Sequence, residues 1–461
     1  MHTAVWFQRN LRIDYNEALR WALHRAKQNQ GKIVLFYLHS PEDESPWHRG
    51  AASSWWLQQS LSSLKSALLQ HGLVLNIIKG GAKETIPNLL EQHNIDAISW
   101  QRNHEPHLFE HEEKLAEQLT QQGVTVNITN DSMLTHPNQL MTQKGTPYKV
   151  FTPFYRQLRK ELHHINHQPT TPAAPNAITS MTLDCSQPLD TAGISPLHRW
   201  QQKLAEHHQP GEEHSQQLLL KFVTEHLSDY PLNRDFPAIE ATSVLAAPLH
   251  FGEISIRQVI ALLQPIIEEG DPQHHQAAEV FLRQLIWREF ARYILWHFPD
   301  TTEQSMNKRF DASLWVYDEE RLRRWQRGET GVTLIDAGMK QLWQTGTMHN
   351  RVRMLVASYL TKNLAQPWQL GARWFWETLV DADLANNSMG WQWVAGTGVD
   401  AAPYFRIFNP ETQAKKFDPD KLYQQRWNNT DPQPEALVDL GDSRRDALHR
   451  YQSNRKRNSQ Q

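Results

Sequence analysis

Two aspartates spaced by two, Asp381 and Asp383, stand beside the adjacent amides Asn386 and Asn387, and two tryptophans with the same spacing, Trp391 and Trp393, follow. Carboxylates accept hydrogen bonds, primary amides both donate and accept, and indole rings stack on flat groups. The Asn, Ser and Gly of this stretch are expected to end a helix and open a backbone turn that presents polar groups to a ligand. On a helix the two tryptophans point roughly 200° apart, and on a strand to opposite faces, so they do different jobs. The same residues could also build a large core helix, capped by Asp and Asn and packed with aromatics.

DADLANN, then GWQW, then DAAPYFRIFNP closely resemble the flavin-binding core of the photolyase and cryptochrome family. The resemblance covers the C-terminal half well and the opening residues more loosely. It implies noncovalent FAD, held by Tyr230, by Thr242, Ser243, Val244, Leu245 and Ala246 at the phosphates, and by Asn350, Arg353, Asp381, Ala382, Asp383 and Asn387 around the ring. Thr242 and Ser243 are expected to open a helix, where hydroxyls and backbone N–H groups can receive an anion. Ala246 departs from the family's TSxLS pattern by one hydroxyl. There is no GxGxxG, so side chains and helix N-termini would have to hold the dinucleotide.

The resemblance further implies light-driven repair of cyclobutane pyrimidine dimers, by electron transfer from excited reduced FAD to a lesion swung out of the duplex, as photolyases as a class require. Trp391, Trp368 and Trp315 match the tryptophan triad that carries electrons inward, and Asn387 would face the flavin N5. Trp287 would stack on the damaged bases, Met354 and Trp393 would wall the lesion, and Arg288 and Glu289 would help set the pocket. Asn350 and Arg351, with Arg234, Arg406 and Lys415 or Lys416, would meet flavin and DNA around the pocket mouth, and Arg353 would pair with Asp381. His349 followed by Asn350 points away from enzymes that repair (6-4) photoproducts. Two departures favour the alternative of a cryptochrome-type blue-light photoreceptor without repair. Gln284 stands where most dimer photolyases have Glu, and Thr347 replaces a Trp. Glutamine keeps the hydrogen bond and loses the titratable proton, so Gln284→Glu is expected to raise repair through an acid kept protonated in a dry pocket. The short tail tells against the photoreceptor.

The elements that would position these groups divide the chain in two. Apolar runs of strand length at 3–9, 32–38, 73–78, 96–100 and 124–128 alternate with helical patterns, which is the pattern of a doubly wound parallel sheet. After about Pro196 only helical periodicity follows. The expectation is an α/β domain over 1–162, a linker draped over the surface at 163–195, a helical FAD- and DNA-binding domain over 196–440, and a basic, disordered tail from 441. The opening resembles FRxDLRxxDNxAL, with Arg12, Asn16 and Leu19 matching and Gln8, Asn10 and Tyr15 departing. Asn103, His104 and Glu105 fall where folate-binding relatives carry polar contacts. An antenna chromophore of folate or deazaflavin type is left open, with Trp55 or Trp56 as a stacking platform and helix packing as their ordinary use.

Composition sets the outer limits. The chain has 461 residues, enough for two or three domains, and a net charge of −3, which speaks against a uniformly basic coat but not against a local basic patch. A lone cysteine, Cys185, excludes an internal disulfide and any four-cysteine iron–sulfur cluster, and no zinc-type spacing occurs. The 18 tryptophans exceed what such a core needs, in keeping with stacking or electron transfer. No apolar run spans a bilayer and no signal peptide opens the chain, so the expectation is a cytoplasmic monomer acting on UV-damaged DNA.

Overall fold

The computed structural model describes all residues but 45, 163–177, 195–198, 309, 311–313, 402, 405, 429–431 and 459–461. Five strands, β1 (His2–Phe7), β2 (Ile33–His39), β3 (Leu75–Lys79), β4 (Ile95–Gln101) and β5 (Thr125–Thr129), form a parallel sheet in the order β3-β2-β1-β4-β5. Helices on both faces explain why the central strands are near-continuous apolar runs. These are α1 (Glu17–Gln28), α2 (Ala51–Gln70), α3 (Ala82–Gln92) and α4 (Pro106–Gln121). Winding runs from β1 to one edge and then resumes at β4 on the other side, which leaves a crevice at the carboxyl ends of β1 and β4.

Arg12, Asn16 and Leu19 turn out to be architectural. Asn16 caps α1 by accepting from the Leu19 N–H at 3.1 Å. Arg12 is buried, paired with Asp131 at 2.9 Å, and donates to the Gly252 carbonyl at 3.0 Å, tying the sheet to the helical domain.

Part of the expected linker, 163–177, lies outside the described residues. From Ile178 it is pinned rather than draped. Ile33 N–H donates to Thr179 O at 3.0 Å, and the Asn76 side chain holds Met181 O and Leu183 N–H at 3.0 and 2.9 Å.

The remaining helices are α5 (Phe151–Glu161), α6 (Glu212–Lys221), α7 (Tyr230–Asn233), α8 (Ala246–Phe251), α9 (Ile256–Glu269), α10 (Pro272–His297), α11 (Glu319–Arg327), α12 (Thr333–Thr345), α13 (Asn350–Ser358), α14 (Trp368–Thr378), α15 (Leu384–Ala395), α16 (Pro410–Phe417), α17 (Leu422–Trp427) and α18 (Leu440–Asn458). The long α10 starts with Asp271 as cap and Pro272 in its first turn, and is buried without a break from Glu289 to Leu295. That all-round burial suits a helix packed against α5, α7, α9 and α15.

Two expectations need correction. The NNSMG run does not open a turn; it is the body of α15. Asp383 caps that helix by accepting from Asn386 N–H at 2.9 Å, and Gly396 ends it in the left-handed region. A helical Gly390 costs about 1 kcal/mol, less than the burial of Leu384, Trp391 and Val394 returns. The tail is likewise not disordered over Leu440–Asn458. It is a helix whose Ala447 and Asn454 are buried, whose Tyr451 stacks on Tyr404 at 5.0 Å, and whose Arg450 donates to Lys362 O at 2.8 Å.

Two carboxyls, the buried Glu253 and the partly buried Glu212, sit where the domains meet. Glu253 accepts from Trp56 Nε1 at 3.0 Å and from Ser215, and Glu212 receives the N–H groups of Ile13 and Asp14. Burial pushes both up to about 7. The folded chain therefore keeps protons that the unfolded chain has released, and the stability they lend is complete below the unfolded value and lost as pH rises through about 7. Their share of the melting temperature is expected to fall across that window, opposed by buried histidines such as His104 and His250, whose burial-lowered rings act with the opposite sign. Glu253→Gln, which keeps the Trp56 bond and can donate its amide N–H to Ser215 Oγ instead of accepting from it, should remove the Glu253 part of that pH dependence. An unchanged slope in thermal scans would remove Glu253 as a cause.

Candidate active site

His349 caps α13, its ring accepting from Arg351 N–H at 3.2 Å. Asn350, Arg353 and Met354 then share a face by their three- and four-residue spacing. Arg353 reaches both oxygens of Asp381 at 2.9 and 3.1 Å, and its Nε donates to Met348 O at 2.7 Å. The expected ion pair is therefore formed, with Ala382 buried beside it. Asn387 donates its Nδ2 to Ala372 O at 2.9 Å, so its other amide atom is left as an acceptor.

Asp383 does something different from what was expected. It is buried, caps α15, and turns Oδ2 toward Arg292 at 3.2 Å and His250 at 3.5 Å. Burial would raise its carboxyl, but Arg292 and His250 outweigh that and hold it well below the usual range. Its oxygens are taken, and its side chain faces the crevice between the domains.

Thr242 and Ser243 do not open a helix. They belong to an extended turn before α8, whose cap is Leu245. Within it Val244 is exposed and adopts φ 53°, an unusual conformation for a β-branched residue. Among the described residues, no partner takes the backbone N–H groups of Thr242 to Leu245. Consecutive free N–H groups around a left-handed residue make a concavity for an anion, and such strain points to function. Tyr230, by contrast, is buried against Phe222 and Phe281, with the Arg234 guanidinium 5.2 Å over its ring.

Trp391 follows Asn387 by four residues and so shares its face of α15. Its ring rests on Gly371 of α14, where an added Cβ would collide with it. Trp368, three residues before Gly371, is fully buried, and its indole N–H has no partner among the described residues. Trp315 is half-buried and is attached to the start of α14 by Val316 N–H donating to Ala365 O at 2.7 Å. The three rings belong to one packed cluster, with Trp391 and Trp368 buried and Trp315 half-buried at its margin. Trp393 lies on another face of α15 and is half-buried, as the spacing implied.

At the mouth, Arg234 donates to Gln284 Oε1 at 3.1 Å and Arg351 pairs with Asp235 at 2.7 Å. Arg351 and Lys416 both lie over Phe417, at 4.3 and 5.1 Å, and Phe236 meets the same ring, so α13, α16 and the segment after α7 converge there. Arg406 is exposed over Phe408, and Lys415 is exposed on α16. Trp287 is half-buried on α10, while Glu289 is in the core, accepting from Leu134 N–H at 2.7 Å. Thr347 bonds Thr345 at 2.9 Å and lines no described cavity.

The crevice at the ends of β1 and β4 holds about 40 Å³ of water-accessible space and is partly open to solvent. It brings together Asn103, His104 and Glu105, the motif residue Arg12, and Arg9, Arg102 and Arg292, which no local motif announced, and it also holds Arg288, expected instead beside the lesion. Arg9 and Glu105 form a bidentate pair, and the buried His104 Nε2 and Gln101 Oε1 have no partner among the described residues. Burial and Arg292 hold His104 neutral, well below its usual value. Trp55 and Trp56 lie elsewhere. Both are buried, and Trp56 stacks on Phe251, so helix packing uses them.

This arrangement has close counterparts. Residues 3–176 match the family described as DNA photolyase, and 281–430 the family described as FAD binding domain of DNA photolyase. The chain is 38% identical over 427 residues to the deoxyribodipyrimidine photo-lyase of Agrobacterium fabrum, covering 92% of this chain and 86% of that one. It is 33% identical to cryptochrome-2 of Arabidopsis thaliana, over 92% and 70%. A bacterial class III photolyase from Agrobacterium tumefaciens superposes with a TM-score of 0.91 at 35% identity, over 98% of both chains. An archaeal photolyase from Sulfolobus tokodaii, solved with two FAD molecules, superposes at 0.81 with 26% identity, over 98% of this chain and 100% of that one. The fold is that of a photolyase-type flavoprotein. The chain belongs to the DNA photolyase and cryptochrome family, and its helical domain is an FAD-binding domain.

The free N–H groups of 242–245, the Arg353–Asp381 pair and the free acceptor of Asn387 fit that cofactor. If the pair orders the ring site, Asp381→Asn leaves Arg353 without a charged partner, and FAD retention should weaken about tenfold, or about 1.4 kcal/mol. Titrating apoprotein with FAD reads this; equal affinity would show that the pair serves folding alone.

Proposed function

We propose that the protein is a deoxyribodipyrimidine photo-lyase that repairs cyclobutane pyrimidine dimers in DNA. The observation that carries this reading is the placement of Asn387 and Trp391 on one face of α15, in one packed cluster with Trp368 and Trp315, together with the cationic Arg351 and Lys416 over Phe417. When bound, FAD supplies the light-driven electron donation to the dimer. The chain's own residues do the rest. The free N–H groups of 242–245 receive the pyrophosphate, and the Arg353–Asp381 pair and the Asn387 acceptor orient the ring system. The tryptophans relay an electron inward from a surface donor. The arginines hold phosphates flanking the lesion, and Trp287, Trp393 and Met354 receive the extruded bases. Asn103, His104 and Glu105 support an antenna site in the interdomain crevice.

Incubating the FAD-loaded protein with a dimer-containing oligonucleotide should restore intact pyrimidines under blue light and not in the dark. Trp391→Phe should stop photoreduction of oxidised cofactor while leaving dark binding of damaged DNA unchanged. A wild type that takes up FAD, photoreduces and never repairs would replace this reading with the photoreceptor one, to which Gln284 and Thr347 lend some support.

The contact between Arg234 and Gln284 reverses the expectation for Gln284→Glu. A carboxylic acid 3.1 Å from a guanidinium is held ionised, not protonated, and would cancel the charge that Arg234 offers to phosphate. The substitution should leave repair per photon at saturating DNA no higher than wild type and weaken damaged-DNA affinity about threefold to tenfold, as loss of one phosphate contact does. A raised repair yield would restore the proton-donor role.

A further inference from the structure

Trp287 is not free to choose its plane. Phe151, the first residue of α5, lies flat beneath it with ring centroids 3.5 Å apart and planes within 5°. Phe290 meets the indole edge-on at 5.8 Å, and no second ring lies on its other face among the described residues. Phe151 is itself 1% exposed and held from three sides. Its N–H donates to Asp400 Oδ2 at 3.1 Å, Phe290 packs against its edge at 5.7 Å, and the Arg283 guanidinium sits 5.0 Å from its ring. Asp400 adopts φ 47°, so a strained residue in the segment after α15 anchors the start of α5. An indole with one face fully stacked and its edge blocked has lost its ring-flip freedom before any ligand arrives, so a base that stacks on the remaining face does not have to order it.

We propose that Phe151 is a positioning residue for lesion recognition: stacked beneath Trp287, it fixes the indole plane on which an extruded pyrimidine dimer adds as the next layer. The helix that leaves the α/β domain thereby sets the reading surface of the helical domain. This rests on the reading that Trp287 stacks on the lesion, and the experiment separates the two claims.

The test compares dark binding of a dimer-containing duplex and its undamaged counterpart by the FAD-loaded wild type, Phe151→Leu, Phe151→Tyr, Trp287→Ala and the double variant Phe151→Leu with Trp287→Ala. An aromatic contact of this kind accounts for about threefold to tenfold. Phe151→Leu should therefore lose that much preference for the damaged duplex while keeping its affinity for the undamaged one and its FAD content. Phe151→Tyr, which keeps a ring face, should retain most of the preference. The double variant should be no worse than Trp287→Ala, because Phe151 acts through the indole. Full preference in Phe151→Leu, additive losses in the double variant, or equal losses on both duplexes would overturn the proposal and leave Phe151 as ordinary packing. Full preference in Trp287→Ala would instead remove the stacking role of Trp287, and the proposal with it.

Discussion

The approach of α15 to α14 at Gly371 is the constraint on which the rest of the helical domain depends. Because Gly371 has no side chain, the Trp391 ring can lie against the α14 backbone, and one turn earlier the Asn387 amide can bond Ala372 O at 2.9 Å. A Cβ at 371 would have to displace a fully packed indole, and interiors of ordinary density do not yield that space cheaply. The two contacts lock the helices in one register. That register holds the acceptor of Asn387, the ring of Trp391 and the buried Trp368 in one cluster, so the proposed cofactor neighbour and the proposed relay would be parts of one rigid unit. Asp383 carries the same register outward, capping α15 while pairing with Arg292 on α10.

Charge is arranged around this unit by pairing rather than by excess. The net charge is slightly negative, yet Arg351 and Arg353 each reach the site already held, by Asp235 and Asp381. Held guanidiniums keep their geometry with little ordering left to do when a phosphate or ring arrives. Arg234 differs from these two, because it donates to the neutral Gln284. It keeps its whole charge for a phosphate, at the mouth where the backbone of a duplex would pass.

The sheet and most helices were legible in the sequence because each is a local pattern. Short apolar runs announced β1 to β5 within a few residues, and helical periodicity held through α14. α15 was misread because Asn386, Asn387, Ser388 and Gly390 are poor helix formers one by one, while the cap and the burial that overrule them come from the fold. α18 was misread for the related reason that its charged sequence hides Ala447 and Asn454, which are buried only once the helix docks. The flavin-side residues came through the family resemblance, but their uses did not all follow. Asp383 was taken for a ligand contact and is committed to Arg292, and Thr242 and Ser243 were taken for a helix opening and form a free turn before one. The crevice was legible only in part: Asn103, His104 and Glu105 were singled out, but Arg9, Arg292 and Asp383 meet them only when both domains are folded. Phe151 was hidden likewise, in an aromatic segment whose partner lies on another helix.

The claim that the three tryptophans are one outward path is tested most directly by flash absorption on the FAD-loaded protein, comparing wild type with Trp315→Phe. The account predicts a long-lived tryptophan radical after the flash in wild type, because the electron vacancy reaches the half-buried Trp315. In Trp315→Phe the vacancy stops at the buried Trp368, and the signal should collapse by recombination before an external reductant can act. A radical of equal yield and lifetime in Trp315→Phe would contradict the path and, with it, the view that the α14–α15 register exists to serve the relay.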